Sequence, residues 1–279
     1  MRAAILVPAP DYPEDWDWAY EVEAAALLRA GLSVEARPWT DSGDLAGFDL
    51  VTPLVAWGYH QDPPRWHALL DRMEGENVPV LNPVPLLRWN SDKRYLAELG
   101  AKGIHVIPTR LVERIDQAAL TDARSEFGEQ LVIKPPVSAS AYGTYRLGPN
   151  DPLPTEAHGR EMLVQPFLGA VADEGEYSCL LFGGDFSHSI VKRPKAGDYR
   201  VQPHLGGTEF PCPPPQGAVD LAKAALAAAP AEASYARVDM VRDNGGKLAI
   251  IELELIEPAL WLQHAPDGGA SFAAALTKK

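Results

Sequence analysis

The sequence predicts an α/β domain built on a parallel sheet, followed by a second half of the α+β class. Strand and helix patterns alternate over residues 2–83, which is typical of parallel sheets with helical crossovers. Hairpin patterns then replace this alternation, most clearly in residues 176–194 and 235–262. A chain of 279 residues is also long enough for about two domains.

The N-terminal elements follow from short apolar runs and from segments with helical spacing. We expect strands at 2–8, 33–39, 49–57 and 78–83, and helices at 18–31 and 63–73. Gly31 ends the first helix, and two prolines begin the second. Ligands bind beyond the carboxyl ends of strands in such sheets, which favours the loops 11–16 and 57–62.

The second half combines helices with strand pairs. We expect helices at 91–103, 115–128 and 219–230, strands within 131–147 and 161–168, hairpins at 176–194 and 235–262, and a long loop at 195–217. Ser91 is the expected N-cap of the first of these helices, and Gly103 is its expected end.

Composition narrows the classes of function. The formal net charge of −13 argues against a nucleic-acid-binding protein. Two cysteines cannot build a disulfide framework or a cysteine-rich metal site, which favours a reducing, cytoplasmic location. The N-terminus does not resemble an export signal, and no apolar run is long enough to cross a bilayer, so we expect no membrane partner.

Acidic residues lie among apolar ones near the end of the chain. Glu252 and Glu254 are two apart in a predicted strand and therefore share a face, and Asp239 lies on the partner strand. Converging carboxylates repel unless a cation joins them, and hard oxygen ligands suit Mg²⁺. The alternative is that both glutamates face solvent while Leu253 and Leu255 face the core.

Basic and small residues suggest an anion site. Lys134 ends an apolar strand, where it either extends to solvent or meets an anion. The loop 138–144 after it is made of small residues, which let backbone N–H groups approach phosphates, although most such loops are plain turns. A basic cluster follows at Lys192, Arg193, Lys195 and Arg200. This cluster suits a polyphosphate or is a solvated surface run.

Six segments in this order resemble one family. They are LLRWNSDKRYLAELGAKGIHVIPT, LVIKPPVSASAYGTYRL, MLVQPFL, GEYSCLLFGGDFSHSIVKRPKAGDYR, YARVDMVRD and IIELELIEPALWL. The chain resembles the ATP-grasp superfamily, in particular the glutathione-synthetase-like carboxylate–amine ligases. Within that group it is similar to the branch of cyclo-ligases that forms D-cycloserine from O-ureido-serine. The first 85 residues match this group only by their strand–helix pattern.

The resemblance implies an ATP-grasp fold. The N-terminal parallel α/β (pre-ATP-grasp) domain would cover residues 1–88, and the ATP-grasp domain would cover 89–279. Two α+β lobes would enclose ATP, a small lid lobe at about 105–162 and a C-terminal lobe at about 163–279. The family also implies small-molecule carboxylate and amine substrates, Mn²⁺ as a substitute for Mg²⁺, and a homodimer as a common assembly.

The resemblance also implies a role for each matching residue. ATP would be bound by Lys93, Lys134, Ser138, Ser140, Gly143, Thr144, Gln165, Pro166, Phe167, Leu168 and Glu176. Mg²⁺ would be held by Asp239, Glu252 and Glu254. Lys192 and Arg200 would face the triphosphate and the acyl phosphate, with Arg237 beside them as a third catalytic residue.

Two positions depart from the family pattern. Glu254 stands where glutathione synthetase typically has Asn, which alters the charge of the metal site. Gly143 is the only glycine in a phosphate loop that is often richer in glycine. ATP binding is still expected, but the closure of this loop is less constrained by the resemblance.

The expected substrate pocket lies between the N-terminal domain and the ATP-binding lobes. Its candidates are Asp11, Trp57, Tyr59, His60 and Arg193, although His60 could equally be a capping or loop histidine. The expected reaction is attack of a substrate carboxylate on ATP, followed by capture of the acyl phosphate by an amine.

Three alternatives stay open at this stage. The first is intramolecular capture, which needs one substrate and yields a product lighter by one water. The second is ligation of amino acids to a peptide or protein, which predicts a wide cleft. The third is a nucleotide-binding module without catalysis.

Overall fold

The N-terminal part of the chain forms a parallel sheet between two helices. The computed structural model describes residues 1–202 and 205–278. Strands β1 (Arg2–Val7), β2 (Ser33–Pro38) and β3 (Leu50–Thr52) form a parallel sheet in the order β2-β1-β3. Helices α1 (Asp17–Arg29) and α2 (Pro63–Gly75) follow β1 and β3 in the chain. This arrangement confirms the predicted α/β domain.

Alternate residues of β1 supply two different cores. Ala3, Ile5 and Val7 pack in a cluster with α1, whereas Ala4 and Leu6 pack in a cluster with α2. Successive strand residues point to opposite faces, so a strand buried on both sides reads as one continuous apolar run. The AAILV run of β1 is therefore explained by a helix on each face of the sheet.

A four-stranded antiparallel sheet follows. After α3 (Val84–Asn90) and α4 (Tyr95–Ala101), its elements are β4 (Arg110–Val112), α5 (Gln117–Phe127), β5 (Leu131–Lys134), β6 (Tyr145–Leu147) and β7 (Met162–Pro166). The strand order is β4-β7-β5-β6. One face packs against α5 through a separate apolar cluster that includes Leu120, Leu131 and Val164. Its strands span residues 110–166, whereas the small lid lobe expected from the resemblance covers about 105–162.

The C-terminal lobe carries a five-stranded antiparallel sheet. Its elements are α6 (Ala170–Asp173), β8 (Glu176–Phe182), β9 (Asp185–Arg193), β10 (Thr208–Pro211), α7 (Ala218–Ala227), β11 (Tyr235–Arg242), β12 (Leu248–Glu254) and α8 (Ala270–Thr277). The strand order is β10-β9-β8-β11-β12. Both predicted hairpins are confirmed, with β8 joined to β9 at Gly183 and Gly184 and β11 joined to β12 through residues 243–247.

Several predicted boundaries are wrong. The strand expected at 49–57 stops at Thr52, and the one expected at 78–83 is reduced to a single bridge between Val80 and Val51. The helix expected at 91–103 is two helices, because Ser91 ends α3 instead of beginning a helix. The Oγ of Ser91 donates to the Leu87 carbonyl and accepts from Trp66 Nε1, both at 2.8 Å.

The predicted loop 195–217 is interrupted by β10, which adds an edge strand to the large sheet. Residues 203–204 of that loop lie outside the described part of the chain. Among the described residues, none of the helices has both the length and the apolar character needed to cross a membrane.

Two side chains from α3 and α4 form hydrogen bonds with backbone groups on the edge of β12 that does not pair with β11. The amide of Asn90 donates to Leu253 O and accepts from Leu255 N, both at 2.9 Å. The hydroxyl of Tyr95 accepts from Leu253 N at 2.9 Å and donates to Leu253 O at 3.0 Å. Backbone groups at a buried strand edge need partners. These two buried side chains supply them and hold β12 against α3 and α4.

One buried carboxyl group in α1 lacks such compensation. Glu23 is 2% exposed, and its Oε2 has no hydrogen-bond partner among the described residues. Burial raises the pKa of Glu23 well above its ordinary value, because the surrounding core disfavours the ionised form. Glu23 is therefore held in its neutral form, and the fold loses stability as the pH rises from the ordinary glutamate pKa toward the raised value.

We predict that Glu23→Met stabilises the protein at pH 8 by about 1–3 kcal/mol, because it removes a buried polar group without a partner. The gain should be smallest near pH 5, where the unfolded chain is also closer to protonation, and should grow with pH. Thermal unfolding at several pH values measures it. Glu21→Met, at an exposed position of the same helix, is the control. A gain that does not change with pH would contradict this assignment.

Candidate active site

A cavity of about 880 Å³ lies where the three sheets meet. Its volume is within the range of small-molecule sites. Its lining includes predicted residues from all three parts of the chain, namely Trp57, His60, Lys93, Lys134, Ser138, Ser140, Thr144, Gln165, Pro166, Phe167, Leu168, Glu176, Lys192, Arg200, Arg237, Asp239, Glu252 and Glu254. The fold thus brings together most of the residues that the sequence singled out.

Strands β11 and β12 set the spacing of the acidic side chains. Asp239 is opposite Glu252 in the ladder, and Arg237 is opposite Glu254. Leu253, between the two glutamates, is 1% exposed and lies in the core. Strand alternation therefore sends the charged residues of both strands to the cavity face. The alternative in which Glu252 and Glu254 face bulk solvent is wrong.

Asp239 is the most enclosed acid of the site, at 1% exposure. Its carboxylate accepts hydrogen bonds from Ser178 Oγ at 2.6 Å, Lys192 Nζ at 3.0 Å and Arg237 Nε at 3.1 Å. Burial acts to raise the pKa of Asp239, but Arg237 and Lys192 outweigh burial and hold the pKa below its usual range. Asp239 is thus ionised and anchors two cations.

Three further carboxylates are less completely compensated. Burial raises the pKa of Glu254 to about 8 although Arg237 pairs with it, because Glu252 and Asp239 add negative charge. Burial raises the pKa of Glu176 to about 7 although Lys192 opposes this rise. Burial likewise raises the pKa of Glu257 to about 7, with Lys93 opposing it. The site carries spare acidic groups that an added cation would ionise.

Two lysines from outside the five-stranded sheet face these acids, Lys93 between α3 and α4 and Lys134 at the end of β5. Lys93 Nζ lies 2.9 Å from Glu252 Oε1 and also donates to the carbonyl of Ser138. Burial, with Lys93 adding repulsion, lowers the pKa of Lys134 to about 8. Both lysines line the cavity. An anion placed between them would raise the pKa of Lys134 again.

The small-residue loop 138–144 covers one side of the cavity. Ser140 and Ala141 have positive φ angles of 50° and 61°, a conformation that non-glycine residues rarely adopt. Gly143 does not line the cavity; its φ angle is 63°, and a Cβ atom there would lie 2.9 Å from Pro135 Cγ. Its predicted part in ATP binding is therefore limited to the turn. Ser138, Ser140 and Thr144 do face the cavity.

The lining near Gln165–Leu168 is apolar, and we call this part of the cavity the apolar slot. Its residues are Ile107, Val132, Leu168, Val171, Val241 and Ile251. Gln165 is fixed by a hydrogen bond from its Nε2 to Thr109 Oγ1 at 2.9 Å. A flat aromatic base suits a slot with apolar walls and polar backbone groups at its edge.

Three of the five predicted substrate residues lie elsewhere. Asp11 is exposed and outside the lining. Tyr59 is buried in the N-terminal core, with its ring centroid 5.2 Å from that of Trp66. Arg193 follows Lys192 in β9, so alternation turns it to the opposite, exposed face. Trp57 and His60 do line the cavity.

Arg200 lines the cavity, but its guanidinium is paired with Asp198. Its Nη2 donates to Asp198 Oδ2 at 2.9 Å and its Nε donates to Asp198 Oδ1 at 3.1 Å. These bonds lower the pKa of Asp198. Arg200 is therefore held at the rim, next to the cavity and apart from the Lys192–Asp239–Arg237 cluster.

Sequence reasoning missed several lining residues. They are Trp18, Glu209, Glu257, Trp261 and Gln263, whereas Tyr12, Glu14 and Asp15 lie in the loop 11–16 that the sequence favoured without naming them as candidates. Glu257 belongs to the same acidic hairpin region as Glu252, so its position offered a signal. The others come from loops or from helix and strand ends, where periodicity says nothing about which side chain enters a cleft.

The predicted metal ligands do not form a preassembled metal site. Across residues 1–202 and 205–278, no three His, Cys, Asp or Glu side chains come together at a spacing that would hold a metal ion. Asp239, Glu252 and Glu254 are each paired with Lys or Arg. In chemical type the donors fit Mg²⁺, because all are hard carboxylate oxygens. A metal would have to replace existing ion pairs.

Comparison with known proteins places this arrangement in context. The family model "D-cycloserine synthetase DcsG, N-terminal domain" matches residues 4–82. The cycloserine biosynthesis protein DcsG of Streptomyces lavendulae is 31% identical over 300 aligned residues, which cover 99% of this chain and 98% of the relative. A glutathione synthetase of Prochlorococcus marinus (strain MIT 9313) is also 31% identical, over 66% of this chain and 62% of its own length.

Solved structures agree with these sequence matches. The crystal structure of D-cycloserine synthetase DcsG matches with a TM-score of 0.85 at 28% identity, covering 99% of this chain and 98% of that one. A D-alanine–D-alanine ligase of Bacillus anthracis complexed with ATP matches with a TM-score of 0.70 at 16% identity, covering 99% and 96%. The second match concerns the fold alone.

We predict that loss of a buried arginine from the ion-pair cluster destabilises the fold more than loss of an exposed paired arginine. Arg237→Met should destabilise the fold by about 3 kcal/mol, because it leaves Glu254 without its partner and Asp239 with one cation fewer. Arg94→Met is the control, since Arg94 pairs with Asp92 and Glu161 at 46% side-chain exposure. That change should cost less than about 1 kcal/mol. Urea unfolding measures both, and equal losses would contradict the cluster's role.

Proposed function

Since this chain belongs to the D-cycloserine synthetase family of ATP-grasp carboxylate–amine ligases, we propose that it activates an amino-acid carboxylate as an acyl phosphate and closes a ring on it. ATP is the phosphoryl donor for this family of ligases. The observation that carries the proposal is the single cavity in which a basic group, an acidic group and an apolar slot adjoin.

We assign ATP to the part of the cavity between the four-stranded sheet and the five-stranded sheet. The apolar slot at Gln165–Leu168 suits the adenine ring, and Glu176 suits the ribose hydroxyls. Lys93 and Lys134 would neutralise the phosphates, while the loop 138–144 would close over them. The position of Lys134 supports this assignment, because burial and the nearby Lys93 lower its pKa to about 8 and a bound phosphate would raise that pKa again.

We assign Mg²⁺, or Mn²⁺ in its place, to Asp239, Glu252 and Glu254. When bound, the metal would supply positive charge that offsets the negative charge of the phosphates. The pKa of Glu254, raised to about 8, marks a carboxyl that lacks positive charge in the protein alone. Glu254 would thus ionise fully only in the loaded enzyme.

The chain's own cations would perform the electrostatic part of the first step. Lys192 and Arg237 are held together by Asp239 at the floor of the cavity. We propose that these two residues face the phosphoryl group as it passes to the substrate carboxylate, with Arg200 approaching from the rim. Fixed charges of this kind stabilise a transition state because they need no reorganisation.

In the second step a nitrogen would attack the acyl carbon and release phosphate. The new C–N bond replaces the C–O bond to phosphate, and the nitrogen loses one proton. Full-length similarity to a cycloserine biosynthesis protein favours a nitrogen of the same molecule. The substrate end of the cavity would be walled by Trp18, Trp57, His60 and Glu257, all of which line it.

The cavity volume of about 880 Å³ suits a nucleotide with one small substrate better than a peptide acceptor. Both cysteines, Cys179 and Cys212, are free thiols, which supports our placement of the enzyme in a reducing cytoplasm.

Trapping with hydroxylamine tests the proposal. The protein, Mg-ATP and hydroxylamine are incubated with O-ureido-serine and, separately, with a pool of amino acids and short peptides. We expect ADP and a hydroxamate of an amino acid, detected by mass spectrometry, because hydroxylamine captures acyl phosphates. Without hydroxylamine, ring closure on O-ureido-serine should give a product lighter by one water, and lighter by a further HNCO where the carbamoyl group is also lost.

Lys192→Met should reduce hydroxamate formation at least about 100-fold, because it removes charge from the transferred group. Lys223→Met, at a lysine with 47% side-chain exposure, is the matched control and should not change the rate. Glu252→Gln should raise the Mg²⁺ concentration needed for half-maximal rate. ADP formation that needs no acid, or hydroxamates of peptides alone, would contradict the proposal.

A further inference from the structure

Trp261 has a backbone conformation that its residue type rarely adopts. Its φ and ψ angles are 44° and 46°, in the left-handed region that disfavours large side chains. Such conformations persist when surrounding contacts impose them, and they concentrate at functional sites. Trp261 is 5% exposed and lines the cavity. The strained conformation thus directs a large aromatic side chain toward the charged floor of the site.

The indole ring of Trp261 lies against both buried cations of the cluster. The guanidinium carbon of Arg237 is 5.2 Å from the ring centroid, and Lys192 Nζ is 5.9 Å from it. Cations within about 6 Å of an aromatic face are attracted to it, most strongly where water is excluded. The backbone nearby adds a contact, since Arg237 Nη1 donates to Ala259 O at 3.4 Å. Trp261 therefore limits where both cations can go.

A carboxylate fixes the indole in turn. Trp261 Nε1 donates to Glu209 Oε2 at 2.7 Å. Glu209 lies in β10, directly opposite Lys192 of β9 in the ladder. The edge strand β10 thus reaches across Lys192 to hold the ring that faces it. Ordinary core packing would need neither the hydrogen bond to an acid nor the strained backbone.

We propose that Trp261 is a positioning residue, fixed by Glu209, that holds Arg237 and Lys192 toward the terminal phosphate of the bound nucleotide. This inference rests on the proposed function, because that function places the two cations at the phosphate. Without the ring, Arg237 and Lys192 would stay paired with Asp239 but would lose their fixed direction.

The test is the preference of the protein for a nucleoside triphosphate over a diphosphate. Binding of AMP-PNP and of ADP, each with Mg²⁺, is measured by calorimetry for the full chain. Trp261→Leu should weaken AMP-PNP binding about 10-fold while ADP binding stays within about 2-fold, because only the terminal phosphate meets the two cations. The turnover number for ADP formation should fall by at least the same factor.

Conservative variants separate positioning from packing. Trp261→Phe keeps a ring but loses the N–H, and Glu209→Ala removes its acceptor, so each should weaken AMP-PNP binding about 3-fold. Glu209→Gln keeps an acceptor and should resemble the unmodified protein. Trp39→Phe is the matched control, because Trp39 is 4% exposed, donates through Nε1 to Trp57 O at 3.0 Å and lies outside the cavity lining.

The experiments distinguish failure of the positioning role from failure of the proposed ligase function. If the unmodified protein forms no hydroxamate, yet Trp261→Leu loses its preference for the triphosphate, the ligase proposal fails and the positioning role stands. If the protein is an active ligase and all Trp261 and Glu209 variants keep turnover and nucleotide preference, the positioning role is overturned. Equal losses in the Trp39→Phe control would also overturn it.

Discussion

The structure depends on charge compensation around two antiparallel strands, β11 and β12. Arg237 stands opposite Glu254, whereas Asp239 stands opposite Glu252, so this face holds three acids and one cation. Lys192 and Lys93 supply the remaining positive charge, through ion pairs with Asp239 and Glu252. Isolated charges could not be buried there, because desolvation of an unpaired ion costs more than a domain can spare. The same compensation is incomplete at Glu176, Glu254 and Glu257, whose pKa values are raised to about 7 or 8. Under the proposed function, a bound cation would lower these pKa values again.

The ladder keeps its register because β12 is held from both sides. β11 pairs with one edge, and the side chains of Asn90 and Tyr95 take the free backbone groups of Leu253 and Leu255 on the other. A shift of one residue would turn the glutamates into the core and the leucines into the cavity. Helices α3 and α4 therefore support the cavity by holding β12 in place. Lys93, which lies between them, also faces Glu252 directly.

Much of this site could be predicted from local patterns and from the order of segments. Alternation predicted that Glu252 and Glu254 share a face, and the hairpin at 235–262 placed Asp239 opposite them. The basic cluster shows where such reasoning ends, because Lys192 and Arg193 are equally basic in sequence and only their phase in β9 separates them. The prediction that Ser91 begins a helix was wrong, because the hydroxyl that makes serine a good N-cap here accepts a buried hydrogen bond from Trp66 instead. Trp18, Glu209 and Trp261 gave no local signal, because tertiary contacts alone bring them to the cavity.

The most direct test of the account follows the oxygen atoms of the substrate. The acid that the enzyme activates is prepared with ¹⁸O in its carboxylate, and the phosphate released during turnover is analysed by mass spectrometry. An acyl phosphate intermediate transfers one carboxylate oxygen to phosphate when the nitrogen displaces it, so the account predicts one ¹⁸O atom in each phosphate released. Phosphate that carries only unlabelled oxygen would show that ATP is hydrolysed without activating the acid, and would contradict the central claim.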